Sequence, residues 1–429
     1  MTLSPNNNRV NTLVLFICLL FCISVQAVDR YVWANSPSPS APYTSWNTAA
    51  HDIQTAVNAA SPEDIVIVTD GVYYVSSQIS ITTNITVKSV NGPEATIVAR
   101  NQAGSYRIFY STAANIVLDG FTITNGYTSY GAGIYLTYGG TVRNCLVANN
   151  LATDSAGGIY VAPPNYAALI ENCRIISNIS LNSGGGGILF YNPDTVISNC
   201  TINWNSTSGS GGGVLMAGGK IAGCSLQGNT ATNSGGGLSF SLATTVDRCV
   251  IVSNTAKNGG GFYTSGSSAG NTVQNCCVYG NIATNNGGGI SCYNTNVVRN
   301  CTIVYNSASN SCGGALLDFH GQLDNCIAYF NTASTNPNFS LTAFSTGSFN
   351  CAYPAMTGSG NITNDPLFAD TASGNYRLSA GSPCKNTGTN QDWMTNAVDL
   401  DGQTRIWNRI VDMGAYEYWS PNGAIFRIP

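Results

Sequence analysis

The sequence of 429 residues has little charge: Asp, Glu, Lys and Arg make up 8% of it, and its formal net charge is −4. A surface for nucleic acid or for an anionic membrane needs clustered basic side chains, so we expect neither as a partner. His51 and His320 are its two histidines, and no Cys-x-x-Cys pair occurs. The usual sequence patterns of a metal site are therefore missing, and we predict no resident metal or other cofactor.

The sequence also has few long apolar runs. The longest, Leu13 to Val25, is shorter than the roughly 20 residues of a membrane-spanning helix. Arg9 precedes it and Val25-Gln26-Ala27 closes it, which is typical of a signal peptide cleaved after Ala27. We therefore predict a secreted or cell-surface protein with no transmembrane span after cleavage.

Cysteine does not show the even number of a fully paired exported protein. Removing Cys18 and Cys22 with the signal peptide leaves 13 of 15. Eight of these recur at intervals of 28, 27, 24, 25, 27, 25 and 25 residues: Cys145, Cys173, Cys200, Cys224, Cys249, Cys276, Cys301 and Cys326. A fixed period in the twenties indicates a solenoid, whose coils bury their apolar faces by stacking on one another.

Each coil repeats the same alternation around its Cys. The residues three before and two after it are apolar, which is the period of a β-strand. Five residues after every Cys stands an Asn: Asn150, Asn178, Asn205, Asn229, Asn254, Asn281, Asn306 and Asn331. Asn tolerates the left-handed conformation of a sharp corner, and stacked Asn side chains can bond amide to amide. The pattern predicts a parallel β-helix with neighbouring coils about 4.8 Å apart.

The eight repeating cysteines are expected to point inward as a column. Neighbours in such a column have parallel Cβ vectors, which suits a disulfide poorly, so we interpret them as buried thiols that pack as small apolar groups. Cys351 is expected to continue the column. Cys277, Cys292, Cys312 and Cys384 fall outside it, and a bridge among these four stays open.

A Gly-rich turn precedes a second strand in each coil. A strand follows the glycines instead of a helix, so we interpret them as tight turns and not as a phosphate-binding loop. The outward face of this strand is expected to expose five tyrosines: Tyr135, Tyr160, Tyr191, Tyr263 and Tyr293. Tyrosine rings stack on sugars, and a solenoid face offers a long groove for a polymer. Tyrosine is also a common strand residue, so a purely structural role stays open as well.

The two ends of the chain differ from the coils. Residues 45–60 have the spacing of an amphipathic helix, with Ile53, Ala56, Val57 and Ala60 on one face, and are expected to cap the first coil. Residues 353–429 lack the Cys and Asn spacing. We therefore predict a signal peptide at 1–27, an extended segment and capping helix at 28–61, the β-helix at 62–352, and a small β module at 353–429.

Both ends resemble known families. The N-terminal TSWNTAAHDIQTAVNAA, with DGVYYV and NGPEATIV, resembles the start of secreted bacterial right-handed parallel β-helix repeat proteins. The tail NDPLFADTASGNYRLSAGSPCKNTGTN, with VDLDGQTRI and VDMGAYEY, is similar to the choice-of-anchor Q domain that often follows them. The resemblance implies a right-handed coil of the pectate-lyase-like superfamily. Enzymes of that superfamily hold calcium with clustered carboxylates and use an Arg or Lys base.

Acidic side chains that could support catalysis are sparse. Asp318, His320 and Asp324 are the catalytic candidates, because glycoside hydrolysis needs two carboxyls about 5 to 9.5 Å apart. They can equally be solvated loop residues. Two residues before the Cys, opposite charges of neighbouring coils should form surface ion pairs, as with Arg299 and Asp324. No position there stacks two or three acids, so calcium stays open only as a weak expectation.

The sequence thus predicts an all-β protein: a right-handed single-stranded parallel β-helix of about 25 residues per coil, with an N-terminal helical cap and a small C-terminal β module. We expect a non-catalytic, adhesin-like surface or matrix protein that binds polysaccharide or a cell-surface glycan. A polysaccharide lyase or glycoside hydrolase of the superfamily is the first alternative. A purely structural spacer is the second, since the fold alone decides none of these.

Overall fold

The computed structural model describes residues 27–101, 104–163, 166–265, 270–342, 344–406 and 409–419. These residues form a right-handed parallel β-helix of about 11 turns, with about 25 residues per coil, which confirms the predicted fold class. In these ranges no helix is long and apolar enough to cross a membrane. Residues 1–26, which hold nearly all of the predicted signal peptide, lie outside the described part of the chain.

A coil contains up to four strand positions, and equivalent strands stack into parallel sheets. We name each sheet by the place of its strands relative to the repeating residues. The pre-Cys and post-Cys sheets precede and follow the Cys, the post-Asn sheet follows the Asn, and the post-Gly sheet follows the Gly-rich turn. The pre-Cys sheet contains Asp29–Val32, Ile65–Val68, Thr86–Ser89, Val117–Asp119, Gly140–Arg143, Ala168–Glu171, Val196–Ser198, Gly219–Ala222, Thr244–Asp247, Asn271–Gln274, Asn296–Arg299, Gln322–Asp324 and Thr346–Ser348. The post-Cys sheet contains Gly71–Val75, Thr96–Arg100, Thr122–Thr124, Leu146–Ala148, Arg174–Ile176, Thr201–Asn203, Ser225–Gln227, Val250–Val252, Cys277–Tyr279, Thr302–Val304, Ile327–Tyr329 and Cys351–Ala352.

The other two sheets close the coil. The post-Asn sheet contains Tyr127–Tyr130, Leu151–Ser155, Ile179–Ser180, Ser206–Thr207, Thr230–Ala231, Thr255–Asn258, Ile282–Asn286 and Ser307–Ala308. The post-Gly sheet contains Ile79–Ile81, Phe109–Ser111, Ile134–Leu136, Ile159–Val161, Ile188–Phe190, Val214–Met216, Leu238–Phe240, Phe262–Thr264, Ile290–Tyr293, Ala315–Asp318 and Phe339–Leu341. Alternate residues of these strands point inward, so like side chains stack from coil to coil and form one continuous core.

The repeating cysteines lie inside the corner between the pre-Cys and post-Cys sheets, and they are buried free thiols. Their sulfur atoms bond to backbone groups of their own coil and of the neighbouring coil. The Cys173 amide donates to Cys200 Sγ at 3.4 Å, and the Cys173 thiol donates to the Glu171 carbonyl at 3.2 Å. Each thiol thus satisfies backbone groups that the corner removes from the strand ladders.

The repeating asparagines line the next corner and bond to one another. Asn178 Nδ2 donates to Asn205 Oδ1 at 3.0 Å and to the Val147 carbonyl at 2.8 Å, and the Asn178 amide donates to the same Oδ1 at 2.9 Å. The expectation that these residues take the left-handed conformation is wrong. That conformation falls on the residue before each Asn, for example Ser177 at φ +56° and Trp204 at φ +54°. The chain therefore changes direction at the residue before the Asn, and the Asn side chain points into the core.

Cys351 does not continue the cysteine column, contrary to the expectation. Asn350 occupies that position, where its Oδ1 accepts from the Cys326 amide at 2.8 Å. Cys351 pairs in register with Ile327, one residue further along the post-Cys sheet. Its side chain therefore points out of the β-helix and packs in a separate apolar cluster against the C-terminal segment.

The N-terminal cap has a shorter α-helix than the spacing predicted. The α-helix is Ile53–Ala59, and residues 46–48 form a separate 3-10 turn, Trp46–Thr48. The Asp52 side chain caps the helix by accepting from the Thr55 amide at 2.8 Å, so an extended residue interrupts the predicted run. Before it, Asp29–Val32 adds a parallel strand to the pre-Cys sheet beside Ile65–Val68.

The C-terminal segment folds against the outer face of the post-Cys sheet. It holds an antiparallel pair, Phe368–Asp370 and Asn375–Leu378, and a 3-10 turn, Asp392–Met394. The Ala415 amide donates to Thr302 Oγ1 at 2.9 Å, which attaches the segment to a coil far away in sequence. We call residues 353–419 the C-terminal module.

Candidate functional site

The outer face of the post-Gly sheet carries a row of tyrosine rings. Tyr110, Tyr135 and Tyr160 stand in register on three successive coils. Their ring centroids are 5.5 Å apart between Tyr110 and Tyr135 and 4.9 Å apart between Tyr135 and Tyr160. Because parallel strands stack in register, residues 25 positions apart in sequence become direct neighbours. Tyr110 was not among the sequence candidates, although the same spacing leads back from Tyr135 to it.

Arg107 lies over two of these rings. Its guanidinium carbon is 5.2 Å from the Tyr110 centroid and 4.6 Å from the Tyr135 centroid, which is cation–π geometry. Its Nε is buried without a hydrogen-bond partner in the described part of the chain. Burial lowers the pKa of Arg107, while Tyr135 and Tyr110 oppose that shift. Sequence reasoning missed this residue because it precedes the strand and has no fixed place in the repeat.

A second set of polar groups borders the row on the post-Asn side. Tyr130 OH donates to Asp154 Oδ2 at 2.6 Å, and the Tyr130 ring is 5.9 Å from that of Tyr160. Asp154 also accepts from Ser183 Oγ at 2.6 Å, and this hydrogen bond is the main cause that lowers the pKa of Asp154. Burial raises the pKa of Tyr160 to about 12, with Tyr191 as the next contributor. These hydroxyls therefore stay protonated donors at neutral pH.

Tyr191 belongs to this group but not to the tyrosine row. The row position on its coil is Leu189, which pairs with Tyr160, and Tyr191 lies two residues further along on the same side. Its side chain is exposed and interacts electrostatically with Tyr160 and Asp154. We call the set Arg107, Tyr110, Tyr130, Tyr135, Asp154, Tyr160 and Tyr191 the tyrosine face.

Tyr263 and Tyr293 form a second, smaller aromatic pair. Their centroids are 5.7 Å apart, with Tyr263 in the row position and Tyr293 two residues beyond Ser291. The coils between this pair and the tyrosine face carry Leu189, Leu215 and Ser239 at the row position. The five predicted tyrosines therefore form two patches on one face instead of one continuous column.

The three catalytic candidates lie near the last coils. Asp318 accepts a hydrogen bond from Thr342 Oγ1, and Asp324 accepts from Ser348 Oγ at 2.9 Å and the Ser348 amide at 3.2 Å. His320 is exposed and stacks on Phe344 with centroids 5.1 Å apart. The two carboxylates stand on different sheets, Asp318 on the post-Gly sheet and Asp324 on the pre-Cys sheet.

The predicted ion pair of Arg299 with Asp324 is wrong. Arg299 donates instead to Gln274 Oε1, at 3.0 Å from Nε and 2.8 Å from Nη2, and its guanidinium lies 4.0 Å from the Trp393 ring centroid. Trp393 comes from the C-terminal module, so the partner could not be read from the coil spacing. Farther along the same sheet, Arg143 pairs with Asp119 at 2.9 Å. Within the described residues, no three His, Cys, Asp or Glu side chains form a metal-binding group.

A groove of about 450 Å³ lies away from the tyrosine face, beside the N-terminal cap. His51, Asp52, Tyr73 and Tyr74 line it. His51 Nε2 already contacts the Ser36 carbonyl at 3.0 Å, and Asp52 caps the helix. Its His51 and Asp52 side chains are thus engaged in structure, and we take the tyrosine face as the better candidate.

Comparison with known proteins agrees with this architecture. Residues 67–255 match the family model described as the right handed beta helix region. Among solved structures, pectate lyase Pel9A is 14% identical, with 92% of this chain and 97% of that one covered and a TM-score of 0.49. A rhamnogalacturonan lyase is 15% identical over 82% of this chain and 95% of its own, at a TM-score of 0.38.

A third solved structure is a GH87 alpha-1,3-glucanase from Streptomyces thermodiastaticus strain HF3-3. It is 12% identical, with 80% of this chain and 69% of that one covered and a TM-score of 0.36. No curated protein matches the sequence. All three TM-scores are below 0.5, so these structures support no conclusion about what this chain does.

Proposed function

We propose that the protein is an exported, non-catalytic surface or matrix protein that binds a polysaccharide along the tyrosine face. The observation that carries this proposal is the row of Tyr110, Tyr135 and Tyr160, whose rings contact one another over three coils. A polysaccharide chain lying along the solenoid would contact an aromatic side chain on each of these three coils. The hydroxyls and Asp154 at the border of the row supply donors and acceptors for sugar hydroxyls.

The guanidinium of Arg107, which lies over the Tyr110 and Tyr135 rings, favours an acidic glycan. Arg107 forms no ion pair with a carboxylate in the described part of the chain, and the rings of Tyr110 and Tyr135 fix its guanidinium. A guanidinium held in this way is prepared for a planar carboxylate, because less side-chain freedom is lost on binding. Uronate-containing polysaccharides are therefore the class we expect to bind best.

The proposal that the protein is not an enzyme rests on the surroundings of the two candidate carboxylates. Asp318 and Asp324 each accept hydrogen bonds from neighbouring hydroxyls, which suits acids that hold coils together. Both side chains are partly exposed, and the two carboxylates stand on different sheets.

Binding and cleavage can be measured in one experiment. The purified protein is incubated with acidic and neutral polysaccharides, with and without calcium, and pull-down is combined with mass spectrometry of the supernatant. Retention without new oligosaccharides is the expected result. Products with a 4,5-unsaturated end, or simple hydrolysis products, that disappear in Asp318→Asn would establish an enzyme instead. If the protein neither binds a polysaccharide nor releases products, a structural spacer is the function that remains.

Variants locate the binding surface. We expect Tyr160→Ala and Tyr191→Ala each to weaken retention by up to about tenfold, the scale of one aromatic contact. Tyr74→Ala serves as the control, because Tyr74 is exposed on the post-Cys sheet away from the face. Arg107→Gln should weaken binding of acidic polysaccharides more than neutral ones, whereas Arg174→Gln on another sheet should change neither. Equal losses with Tyr74→Ala would contradict the assignment.

A further inference from the structure

Two cysteines meet where the C-terminal module packs on the last coils. Cys351 belongs to the final strand of the post-Cys sheet, and Cys384 belongs to the turn region between Asn375–Leu378 and Asp392–Met394. Both side chains are fully buried in one apolar cluster that also contains Ile327 and Met413. The two thiols lie within hydrogen-bonding reach of each other, and the Cys351 thiol also contacts the Asn364 carbonyl at 3.1 Å.

This arrangement differs from that of the cysteine column. Column neighbours such as Cys173 and Cys200 also bring their thiols into contact, but they stand in register on adjacent parallel coils, so their side chains run side by side. Cys351 and Cys384 come from two elements that face each other across an interface. Their side chains therefore enter the same apolar cluster from opposite sides, without the parallel Cβ vectors that suit a disulfide poorly.

The backbones at both positions are held in place. The Cys351 amide donates to the Cys326 carbonyl at 2.9 Å as part of the sheet. The Met413 amide donates to the Cys384 carbonyl at 3.0 Å, and the Cys384 amide donates to Ser382 Oγ at 3.2 Å. The two side chains thus keep a fixed relation, and a bond between them joins elements that are already in contact.

We propose that Cys351 and Cys384 form a disulfide that attaches the C-terminal module to the β-helix. In the reaction, the two thiols lose two protons and two electrons to an oxidised disulfide donor, such as a dithiol oxidoreductase or glutathione disulfide. The donor is reduced to its two thiols while one S–S bond forms between Cys351 and Cys384. The pairing in the cell rests on the export that is part of the proposed function, because the cytosol keeps thiols reduced.

The order of folding and oxidation follows from the burial of the site. Contact with Cys384 and burial raise the pKa of Cys351, so the reactive thiolate is scarce once the module has docked. We therefore expect the disulfide to form before or during docking, and to resist reductants in the folded state. The column cysteines are buried as they fold and remain thiols.

The test follows the thiols of the full chain. The protein is unfolded, refolded in a mixture of reduced and oxidised glutathione, unfolded again without reductant, and treated with iodoacetamide. Trypsin should then release Leu378–Lys385 joined to the peptide that contains Cys351. Chymotrypsin, which cuts after Phe349 and Phe368, separates Cys351 from the other cysteines of that peptide. Every other cysteine should be recovered alkylated.

Variants make the outcome decisive. In Cys384→Ala, Cys351 should become alkylated, whereas the control Cys145→Ala should keep the bridge intact. Refolding in a glutathione mixture tests the pairing without relying on export. Absence of the bridge would therefore contradict this proposal and leave the proposed function untouched. Alkylation of both Cys351 and Cys384 in the refolded wild type, or a bridge from either to a column cysteine, would overturn the proposal.

Discussion

At the scale of single residues, the corner asparagines replace hydrogen bonds that the turn takes away from the backbone. Asn229 is representative: its Oδ1 accepts from the amide and the Nδ2 of Asn205, each at 3.0 Å. Its own Nδ2 donates to the Ile202 carbonyl at 2.7 Å. The same Nδ2 donates to Asn254 Oδ1 at 3.0 Å, so one buried side chain satisfies groups on both neighbouring coils. Such a column stabilises the stack only while every member is present.

Removing one member should therefore be costly. Asn229→Ala removes the acceptor of the Asn205 amide and of one Asn205 Nδ2 hydrogen, and the donor to the Ile202 carbonyl. We expect a loss of about 2 to 4 kcal/mol in the free energy of unfolding. Chemical denaturation followed by circular dichroism measures it. Gln227→Ala, at an exposed position of the same coil, is the control and should stay within about 0.5 kcal/mol of the wild type. Equal stability of the two variants would show that the column is not needed.

At the scale of elements, the C-terminal module encloses more acids than it can neutralise. Asp399, Asp412 and Glu417 are buried around Arg405, whose Nη1 is 3.3 Å from Glu417 Oε1. Asp399 accepts from the Asp401 and Gln403 amides at 2.9 and 2.7 Å, so it organises the turn at residues 399–403. One guanidinium balances a single carboxylate, and burial accordingly raises the pKa of Glu417 to about 9.

The raised pKa predicts a pH dependence of stability. Between the ordinary Glu value of 4.5 and about 9, the folded module keeps a proton that the unfolded chain releases. The stabilisation is therefore complete at low pH and is lost as the pH rises towards 9, by up to about 1.4 kcal/mol per pH unit for one proton. Burial raises the pKa values of Asp399 and Asp412 as well, which acts in the same direction.

Thermal unfolding at pH 5, 7 and 9 measures this dependence. We expect the melting temperature of the wild type to fall across the series and that of Glu417→Gln to fall less. The exposed Glu94→Gln should follow the wild type, because Glu94 forms only a surface pair with Arg174. A wild-type melting temperature that rises with pH would contradict the assigned direction.

At the scale of the whole molecule, the module and the β-helix share a core. Cys277, Val304 and Ile327 point outward from the post-Cys sheet, and the module buries them with Tyr376 and Met413. The Asn325 side chain adds polar contacts: its Oδ1 accepts from the Thr389 amide at 2.8 Å. The outer face of these coils is thus as apolar as an interior, which a freely attached tail would leave exposed to water.

Loss of this contact should release the module. We expect Ile327→Asp to destabilise docking by about 2 to 5 kcal/mol or more, because it removes a buried side chain and buries a charge. Limited proteolysis should then cut after Arg377 and Lys385 while the coils resist. Ile282→Asp, at an exposed position of the post-Asn sheet, should leave both sites as protected as in the wild type. Unchanged protection in Ile327→Asp would mean that the module docks by other contacts.

The sequence alone determined the coil. A spacing of 24 to 28 residues between cysteines, with apolar residues at fixed offsets, allows a stacked parallel strand and little else, and the structure confirms the right-handed β-helix. Inward and outward positions followed from the same offsets, since a strand alternates its side chains. This information is local and is repeated many times, so it survives without knowledge of the tertiary structure.

Tertiary contacts decided the exceptions. Asn350 takes the cysteine position because the last coil pairs Cys351 with Ile327, and Arg299 turns to Trp393 because the module reaches it. The tyrosine face depends on Arg107, which joins Tyr110 and Tyr135 from outside the repeat. Cys351 meets Cys384 only when the module docks. Each of these contacts joins residues with no regular spacing, and a periodic pattern carries no information about them.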